Sequence, residues 1–405
     1  MNTDFDILIS GGGLNGPLMA LAAAQAGLRT ALIDGDGMDA QTARDFDGRA
    51  YALALASVRM LRALGLWSEL APHAQPMLDI KASDGHAGQG PAPLWLHFDH
   101  AEIEEGPMGY MLEDRYLRPA LLAAVEAQAQ ITRISGAQTQ DHIAGPQGVS
   151  VTLSTGQQLT GRLLICAEGR AAPSARRAGI NYMRWEYGQT ALVCAIDHDA
   201  PHHGIAHQFF MPAGPLAILP LPGNRSSIVW SETASTATAI NALNDSDYLD
   251  VLRPRFGDFL GDIRLCGARF AYPLGVNFAQ AFYADRLALI GDAAHGMHPI
   301  AGQGLNAGLR DIAALAQLLE EGKQRGEDIG STQLLRRYQE WRRFDVASLI
   351  FATDTFNRLF SNDNPLLRLG RDIGMGLVGR IAPLRRGFIR EAAGLTGDLP
   401  RLMRG

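Results

Sequence analysis

The chain has 405 residues, of which 47% are hydrophobic and 19% are charged, and its formal net charge is −6. A chain of this length can bury a sizeable hydrophobic core without disulfides or metal ions. Its acidic net charge argues against nucleic-acid binding through bulk positive charge. The three cysteines form neither a disulfide nor a metal pattern, and no apolar run approaches the ~18 residues of a membrane span. No basic region or cleavage site precedes the first strand-like segment, so we expect a cytoplasmic protein that binds neither metal nor nucleic acid.

The first predicted elements form a strand, a glycine turn, a helix and a second strand. An apolar run over residues 5–10 predicts a buried strand, and the Ala- and Leu-rich stretch 17–26 predicts a helix. A second apolar run, over residues 30–34, predicts the next strand. This order within about thirty residues is typical of a dinucleotide-binding unit.

The turn between the first strand and the helix reads Gly11-Gly12-Gly13-Leu14-Asn15-Gly16. In such a turn Gly11 permits a tight bend, Gly13 lets backbone N–H groups reach a pyrophosphate, and Gly16 lets the helix pack on the sheet. The acid that ends the second strand, Asp34, is placed to accept hydrogen bonds from ribose hydroxyls. The predicted cofactor-binding residues of this unit are Gly11, Gly13, Leu14, Gly16 and Asp34.

The middle of the chain changes from helix-rich to strand-rich. Residues 58–64 and 117–128 are predicted to be helical, and residues 148–153 and 158–166 alternate like paired strands. From about residue 182 to 271, short β-prone runs at residues 192–196, 206–211, 216–221 and 226–231 are separated by Pro, Gly and Asn. They predict an antiparallel sheet that serves as a substrate layer.

A second motif follows a buried-strand pattern at residues 286–290. That strand would deliver Gly291 and Asp292 to a sheet edge, where the carboxylate can hold the ribityl hydroxyls of a flavin. The turn Gly302-Gln303-Gly304-Leu305-Asn306 then begins a helix, whose N–H groups can face the electron-rich edge of a flavin ring.

The segment from Arg286 to Asp311 resembles the Gly-Asp motif of the group A flavoprotein monooxygenases, the family that includes 4-hydroxybenzoate hydroxylase. Within that family, its string His298-Pro-Ile-Ala-Gly-Gln-Gly-Leu-Asn is similar to the signature of the aromatic hydroxylases of ubiquinone biosynthesis, the 2-polyprenylphenol hydroxylase type. The resemblance extends from residue 4 to about residue 345.

The expected fold is α/β, with a discontinuous Rossmann-like FAD-binding domain, an inserted antiparallel β-sheet substrate domain and a C-terminal helical tail. We assign residues 1–75, 101–180 and 270–345 to the FAD-binding domain, and residues 76–100 and 181–269 to the substrate domain. Residues 346–405 are expected to form the helical C-terminal region, with breaks near Pro365 and Pro383.

The resemblance also implies further site residues. Arg49, in Asp-Gly-Arg-Ala, would contact FAD, and Arg115 would lie beside the flavin. Pro299 would line the face of the flavin where oxygen reacts, and His298 is a second candidate at that face. For His298 the alternative is a hydrogen-bonded structural histidine. The base that activates the substrate is not identified.

One segment departs from the family pattern, in which Ala-Asp-Gly-x-x-Ser-x-x-Arg serves both FAD and the nicotinamide cofactor. Here Glu168 stands in place of the Asp, and Ala172 and Ala175 stand in place of the Ser and the Arg. Arg176 or Arg177 can supply the missing charge from a shifted position. The contact with the nicotinamide therefore stays open.

The implied activity is hydroxylation of the aromatic ring of a polyprenylated phenol on the path to ubiquinone. NAD(P)H, a transient co-substrate, would reduce FAD, and dioxygen would then give a flavin hydroperoxide that transfers one oxygen. Two alternatives stay open. One is a hydroxylase of a soluble aromatic acid, which needs a fixed cation in its pocket; the other is a non-catalytic FAD-bound scaffold of a biosynthetic complex.

The tail from Asn362 to Gly405 is rich in arginine, with interleaved Leu, Ile and Met. One interpretation is contact with the anionic inner face of a membrane, or with other ubiquinone-biosynthesis proteins, which would make the protein peripheral. The other is a helix packed on the FAD domain. Four histidines between residues 198 and 207 lack fixed spacing and completing ligands, so no metal site is predicted there.

Overall fold

Three sheets and the helices that flank them make up the computed structural model, which describes residues 3–36, 46–86, 90–298, 302–360 and 381–405. The strands, in chain order, are β1 (Phe5–Ser10), β2 (Thr30–Asp34), β3 (Ala50–Ala54), β4 (Gln75–Met77), β5 (Asp79–His86), β6 (Gly90–Asp99), β7 (Gly109–Glu113), β8 (Ile131–Ser135), β9 (Thr139–Gly145), β10 (Gly148–Leu153), β11 (Gln158–Cys166), β12 (Tyr182–His198), β13 (Ile205–Met211), β14 (Gly214–Leu221), β15 (Arg225–Thr233), β16 (Ile263–Ala279), β17 (Tyr283–Ala284), β18 (Leu287–Leu289) and β19 (His295–Gly296). The α-helices are α1 (Asn15–Gln25), α2 (Leu55–Ala63), α3 (Trp67–Leu70), α4 (Asp114–Glu126), α5 (Pro173–Arg177), α6 (Ala234–Asn241), α7 (Asp245–Phe256), α8 (Gln303–Gln324), α9 (Thr332–Phe360) and α10 (Ala382–Ala392).

The first sheet has the order β17-β18-β11-β1-β2-β8, with β10 paired to β11 and β9 to β10. The pairs β1/β11, β1/β2, β2/β8 and β11/β18 are parallel. Ile7, Leu8 and Ile9 of β1 have no exposed surface, as expected for a parallel strand that is covered on both faces. The carboxyl ends of β1, β2 and β11 meet at one edge, which is where ligands bind in open α/β sheets.

The second sheet has the order β19-β16-β12-β15-β14-β13-β5-β6. Its pairs are antiparallel except β13/β5, which is parallel. On its outer face Trp230 and Ile218 pack against Tyr248 of α7 in a buried cluster. On its inner face Ala195 and Ala206 pack with residues of a small third sheet, β3-β7-β4. The second sheet therefore forms a roof over the third sheet.

The predicted fold class is confirmed, and the differences lie in the element boundaries. Helix α1 begins at Asn15 rather than Pro17, and the predicted strand 192–196 is part of the 17-residue strand β12. Pro383, predicted to break the helical tail, lies in the first turn of α10, where its missing N–H group is not needed. The other predicted break, Pro365, lies outside the described residues. The division into domains stays a prediction.

Candidate active site

The glycine turn after β1 is held tightly by its surroundings. Gly11 has a φ of +119°, and a Cβ atom on it would lie 2.3 Å from the carbonyl oxygen of Ala167, which follows β11. A Cβ atom on Gly16 would lie 1.9 Å from the carbonyl oxygen of Gly11. These two glycines therefore permit the bend and the close approach of α1, as the sequence predicts.

Gly13 differs from both, because a Cβ atom on it would meet no atom of the described residues within 4 Å. Leu14 precedes the first residue of α1, and no described side chain caps the N-terminus of this helix. Its first turn also carries no acidic residue. Helix N–H groups that border open space in this way suit an anionic phosphate.

Asp34 ends β2 next to this turn and is buried. A Cβ atom on Gly12 would lie 2.0 Å from Asp34 Cγ, so the carboxylate sits directly against the turn. Arg133 of β8 forms an ion pair with it, with 3.1 Å between Nη2 and Oδ2. Arg133 was not predicted from the sequence, because its partner is set by the pairing of β2 with β8.

The Gly-Asp motif meets α1 directly. Gly291 has a φ of +58°, and a Cβ atom on it would lie 2.0 Å from Asn15 Nδ2. The Oδ1 atom of Asn15 is buried without a hydrogen-bond partner in the described parts of the chain. The Asp292 side chain is 45% exposed, and its Oδ2 atom lies 3.8 Å from Arg170 Nε. The carboxylate is therefore accessible to ribityl hydroxyls, which is the role predicted for it.

A buried ion network lies behind the Gly-Asp motif. Asp311 of α8 accepts hydrogen bonds from the Gly291 N–H group at 3.0 Å and from Arg342 Nε at 2.8 Å. His295 Nε2 lies 2.6 Å from the same carboxylate. Burial works to raise the pKa of Asp311, but His295 and Arg342 hold that pKa below its ordinary value. The ionised carboxylate thus fixes the backbone just before Asp292.

Helix α8 begins with two glycines in different environments. Gly302 has a φ of +63°, and a Cβ atom on it would lie 2.8 Å from Ala52 Cβ, whereas a Cβ atom on Gly304 would meet nothing within 4 Å. Of the described side chains none caps this N-terminus, and its first turn has no acid. Gln303 and Leu305 lie in the same first turn, so the backbone here can face a flavin edge. Pro299 lies outside the described residues.

The side chain of Asn306 ties α8 to β3. Its Oδ1 atom accepts hydrogen bonds from the Ala54 N–H group at 2.9 Å and from the Ser57 hydroxyl at 2.7 Å. Its Nδ2 atom donates to the Ala52 carbonyl oxygen at 2.9 Å. The contribution of Asn306 to a flavin site would therefore come from its backbone and from the position that its side chain gives α8.

The two predicted arginines lie at the junction of β7 and α4. Arg49 forms ion pairs with Asp47 at 2.6 Å and with Asp114 at 3.4 Å. Arg115 forms an ion pair with the buried Glu113 at 2.6 Å. Both guanidinium groups are held in place by carboxylates, and their contact with FAD stays a prediction.

The segment around Glu168, which departs from the family pattern, has a structural role in the described chain. Glu168 accepts hydrogen bonds from the Ser10 hydroxyl at 2.6 Å and from the Ser174 N–H group at 2.9 Å. It thereby joins the end of β1 to the start of α5. Arg177 Nη2 donates to Ser174 Oγ at 2.9 Å and to the Thr139 carbonyl oxygen at 3.2 Å. These bonds engage Arg177 within the protein, so the nicotinamide contact stays open.

His298 has no exposed surface, and neither of its ring nitrogens has a hydrogen-bond partner among the described residues. Its ring meets the Tyr187 ring edge-on, with 5.2 Å between the centroids. Burial lowers the pKa of His298 to about 4, so the imidazole is neutral near pH 7. The alternative of a hydrogen-bonded structural histidine is not supported by the described contacts.

A row of half-buried side chains crosses the inner face of the second sheet. Val193, Val229, Ala217 and Gln208 are neighbours across β12, β15, β14 and β13, and each keeps part of its surface exposed. The residues beside them in the chain that face outward, such as Leu192, Ile228 and Ile218, are at most 1% exposed. At this row the inner face therefore keeps accessible surface, while the adjacent outward positions are closed.

The histidines between residues 198 and 207 do not form a metal centre. His198 Nδ1 lies 2.8 Å from the Ala200 carbonyl oxygen, and its Nε2 atom lies 3.0 Å from Ser226 Oγ. Throughout the ranges that the structure describes, no three His, Cys, Asp or Glu side chains are grouped as a metal ion requires.

The residues present fit FAD. Two uncapped helix N-termini border open space at Gly13 and Gly304, the buried Asn15 Oδ1 atom lacks a partner in the described chain, and the Asp292 carboxylate is accessible. Phosphates, hydroxyls and an electron-rich ring edge are the groups that these features bind. Fold and site together define an FAD-binding oxidoreductase with a sheet above its flavin site.

Comparison with known families agrees with this class. The model of the FAD binding domain family matches residues 4–352, so the chain belongs to that family. Over 403 residues the chain is 45% identical to the ubiquinone hydroxylase UbiL of Rhodospirillum rubrum, in an alignment that covers 99% of this chain and 92% of the relative. It is 31% identical over 398 residues to the 3-demethoxyubiquinol 3-hydroxylase of Escherichia coli K12, with coverage of 97% and 100%.

Among solved structures, the chain is similar to p-nitrophenol 4-monooxygenase PnpA from Pseudomonas putida DLL-E4. The TM-score is 0.80 at 19% sequence identity, and the match covers 98% of this chain and 99% of that one. At this identity the likeness establishes the fold. The resemblance to the ubiquinone-biosynthesis hydroxylases is confirmed, and the chain is an FAD-dependent aromatic-ring monooxygenase.

Proposed function

We propose that this enzyme hydroxylates the ring of a polyprenylated phenol in ubiquinone biosynthesis, with NAD(P)H and dioxygen as co-substrates. The relatives named above are ubiquinone-pathway hydroxylases, and they align along nearly the whole chain. The observation that carries the proposal is the half-buried, mostly apolar row on the inner face of the second sheet, close to the predicted flavin-binding turn. A prenylated ring is an apolar ligand that suits such a wall.

The residues of the chain would divide the work as follows. Backbone N–H groups around Gly13 and Leu14 would bind the pyrophosphate of FAD, Asp292 would bind its ribityl hydroxyls, and the start of α8 would face the edge of its ring. When bound, FAD would accept a hydride from NAD(P)H and activate dioxygen. The sheet above would exclude water from the reacting ring, since water diverts such chemistry to side products.

The soluble-acid alternative requires a fixed cation near the substrate ring. Within the described inner-face row, Val193, Val229 and Ala217 are apolar and Gln208 is neutral. Arg225, which lies on this face at the start of β15, is paired with Asp197 at 2.8 Å and with Glu113 at 3.9 Å. A wall of this composition favours a neutral ring over a carboxylate, because an unpaired buried anion is costly.

The proposal also includes contact with a membrane surface, where a polyprenylated substrate resides. None of the described helices is long and apolar enough to span a bilayer. Several tail arginines form ion pairs with carboxylates of the protein itself, as Arg385 does with Glu102 at 2.5 Å and Arg401 does with Glu320 at 2.6 Å. These pairs support packing of the tail on the protein body.

Exposed apolar side chains offer a better basis for membrane contact than the arginines do. Phe344 and Phe351 lie about two turns apart on α9, so they share one face of the helix. They are 77% and 74% exposed, and Phe388 of α10 is 42% exposed. Flotation with vesicles that contain anionic lipid should carry the wild type upward, and a double variant Phe344→Ser, Phe351→Ser should float less. Equal flotation of the two would remove this face from the proposal.

The function itself is tested with the purified, FAD-loaded enzyme and a prenylated phenol under isotopically labelled dioxygen. We expect the substrate to accelerate NAD(P)H oxidation and one labelled oxygen to enter its ring. A soluble aromatic acid is the comparison substrate. Faster turnover of the acid would favour the first alternative, and no turnover of either compound by FAD-loaded enzyme would favour the scaffold.

A further inference from the structure

The polar side chains on the inner face of the second sheet include Gln208 and Ser231. Gln208 lies on β13 and Ser231 lies on β15. Gln208 Nε2 and Ser231 Oγ are buried and have no hydrogen-bond partner among the residues that the structure describes. Because buried polar groups are nearly always paired, these two atoms indicate a partner that the described part of the chain does not supply.

The face to which these side chains point follows from strand alternation. Their chain neighbours Phe209 and Trp230 belong to the outer-face cluster that packs on α7. Successive side chains of a strand point to opposite faces, so Gln208 and Ser231 point inward. The next residue but one after Gln208, Phe210, is in contact with Ala82, which pairs with Gln208 across the sheet.

Strand register sets the separation of the two groups. Gln208 is opposite Ala217, Ala217 is opposite Val229, and Ser231 lies two residues beyond Val229 on the same strand. Two strand spacings combined with two residues of rise give about 12 Å between the Gln208 and Ser231 Cα atoms. The half-buried Ala217 and Val229 side chains lie between them, so the pair brackets an apolar floor wide enough for one ring.

This floor is close to the predicted flavin-binding turn. On the same inner face, Ala206 and Leu219 pack with Ala52 of β3 in one cluster. The Ala52 carbonyl oxygen accepts a hydrogen bond from Asn306 Nδ2, at the start of α8. A ring held between Gln208 and Ser231 would therefore lie beside the segment that is predicted to face the flavin edge.

We infer that Gln208 and Ser231 bind oxygen substituents of the substrate ring and thereby determine which ring carbon is hydroxylated. The inference rests on the proposed function and names the groups that recognise a neutral, oxygen-bearing ring. The Gln208 amide both donates and accepts hydrogen bonds, and the Ser231 hydroxyl does the same, so each suits a hydroxyl or an ether oxygen. Neither carries a charge that would select an aromatic acid.

The test combines two variants with substrates that differ by a single ring oxygen. Gln208→Leu and Ser231→Ala each remove one hydrogen-bonding group. Each variant has a matched control at a residue on the opposite face of the same strand. The control for Gln208→Leu is His207→Leu, at the outward neighbour of Gln208. The control for Ser231→Ala is Ser226→Ala, at a buried outward serine on β15 that is hydrogen-bonded to His198. All proteins are compared as FAD-loaded full-length enzymes with equal flavin content.

With the prenylated phenol that carries the ring oxygen in question, we expect Gln208→Leu and Ser231→Ala to lower kcat/KM about ten- to a hundredfold. Each variant leaves a substrate oxygen without its hydrogen-bond partner. We also expect less hydroxylated product per NAD(P)H oxidised and a changed ring position in that product. With the analogue that lacks the oxygen in question, the loss should disappear, since the interaction is then absent from both proteins.

An equal loss with both substrates would overturn the inference, because a structural defect does not depend on one ring oxygen. The inference would also be overturned if both variants kept the wild-type amount of hydroxylated product per NAD(P)H oxidised and the wild-type ring position. An equal effect in the two controls would overturn it as well. Failure of the proposed function is a separate result. In that case the wild-type enzyme itself would hydroxylate none of the prenylated rings.

Discussion

At the scale of single residues, buried histidines on the second sheet carry the clearest pH signature. His207 lies on the outer side of β13 against Phe259, with 4.5 Å between ring centroids. Burial, reinforced by the charge of Lys81, lowers its pKa to about 4. The same residue in the unfolded chain titrates near pH 6.5.

This shift predicts a loss of stability in mild acid. Between pH 6.5 and 4 the unfolded chain binds a proton that folded His207 refuses, so the free energy of unfolding falls as the pH falls. The contribution of His207 is about 2–3 kcal/mol across this range. In urea titrations at pH 7 and pH 4.5, His207→Leu should lose less stability than the wild type by about that amount. A parallel decline of the two proteins would show that His207 is not neutral in the folded state.

At the scale of elements, the glycine turn before α1 separates folding from binding. A Cβ atom on Gly16 would collide with the Gly11 carbonyl oxygen, whereas a Cβ atom on Gly13 would enter open space. Both residues belong to the same motif, so the pair provides an internal control.

We expect Gly16→Ala to destabilise the protein by several kcal/mol, because backbone atoms must move to relieve the collision. Gly13→Ala should fold with nearly wild-type stability and bind FAD at least tenfold more weakly, since the methyl group would occupy the path of the pyrophosphate. Thermal unfolding of the apoproteins and flavin fluorescence titration measure the two effects. Normal FAD affinity in a folded Gly13→Ala variant would contradict the assignment of this turn.

The same elements show what a sequence can and cannot predict. The βαβ unit and the Gly-Asp motif are local patterns, so their strands and glycines were predicted within a few residues. The pairs Asp34–Arg133 and Asp311–Arg342 join residues 99 and 31 positions apart through sheet and helix packing. No local pattern encodes those neighbours.

The inner wall of the second sheet illustrates the same limit. Its strands were recognised from β-prone runs, but the sequence does not state which of two alternating faces is closed by α6 and α7. Gln208 and Ser231 therefore looked like ordinary polar strand residues. Only the packing of the outer face identifies them as inward-pointing groups in an apolar wall.

At the scale of the whole molecule, the parallel sheet and the second sheet both contribute to the predicted cofactor and substrate site. The parallel sheet delivers the glycine turn, Asp34 and the Gly-Asp motif to one edge. The second sheet packs apolar side chains on Ala52 of β3, whose carbonyl oxygen accepts a hydrogen bond from Asn306 of α8. The buried Asp311 network links the two long helices α8 and α9 to the Gly-Asp motif. This arrangement suits a cofactor held by backbone groups and an apolar ring held by the sheet.

The role of this enzyme in ubiquinone biosynthesis can be tested in the organism of origin. Mass spectrometry of lipid extracts would compare the wild-type strain with a strain from which this gene has been deleted. We expect the deletion strain to lose ubiquinone and to accumulate a prenylated phenol that lacks one ring oxygen. Unchanged ubiquinone, without any such intermediate, would rule out this substrate.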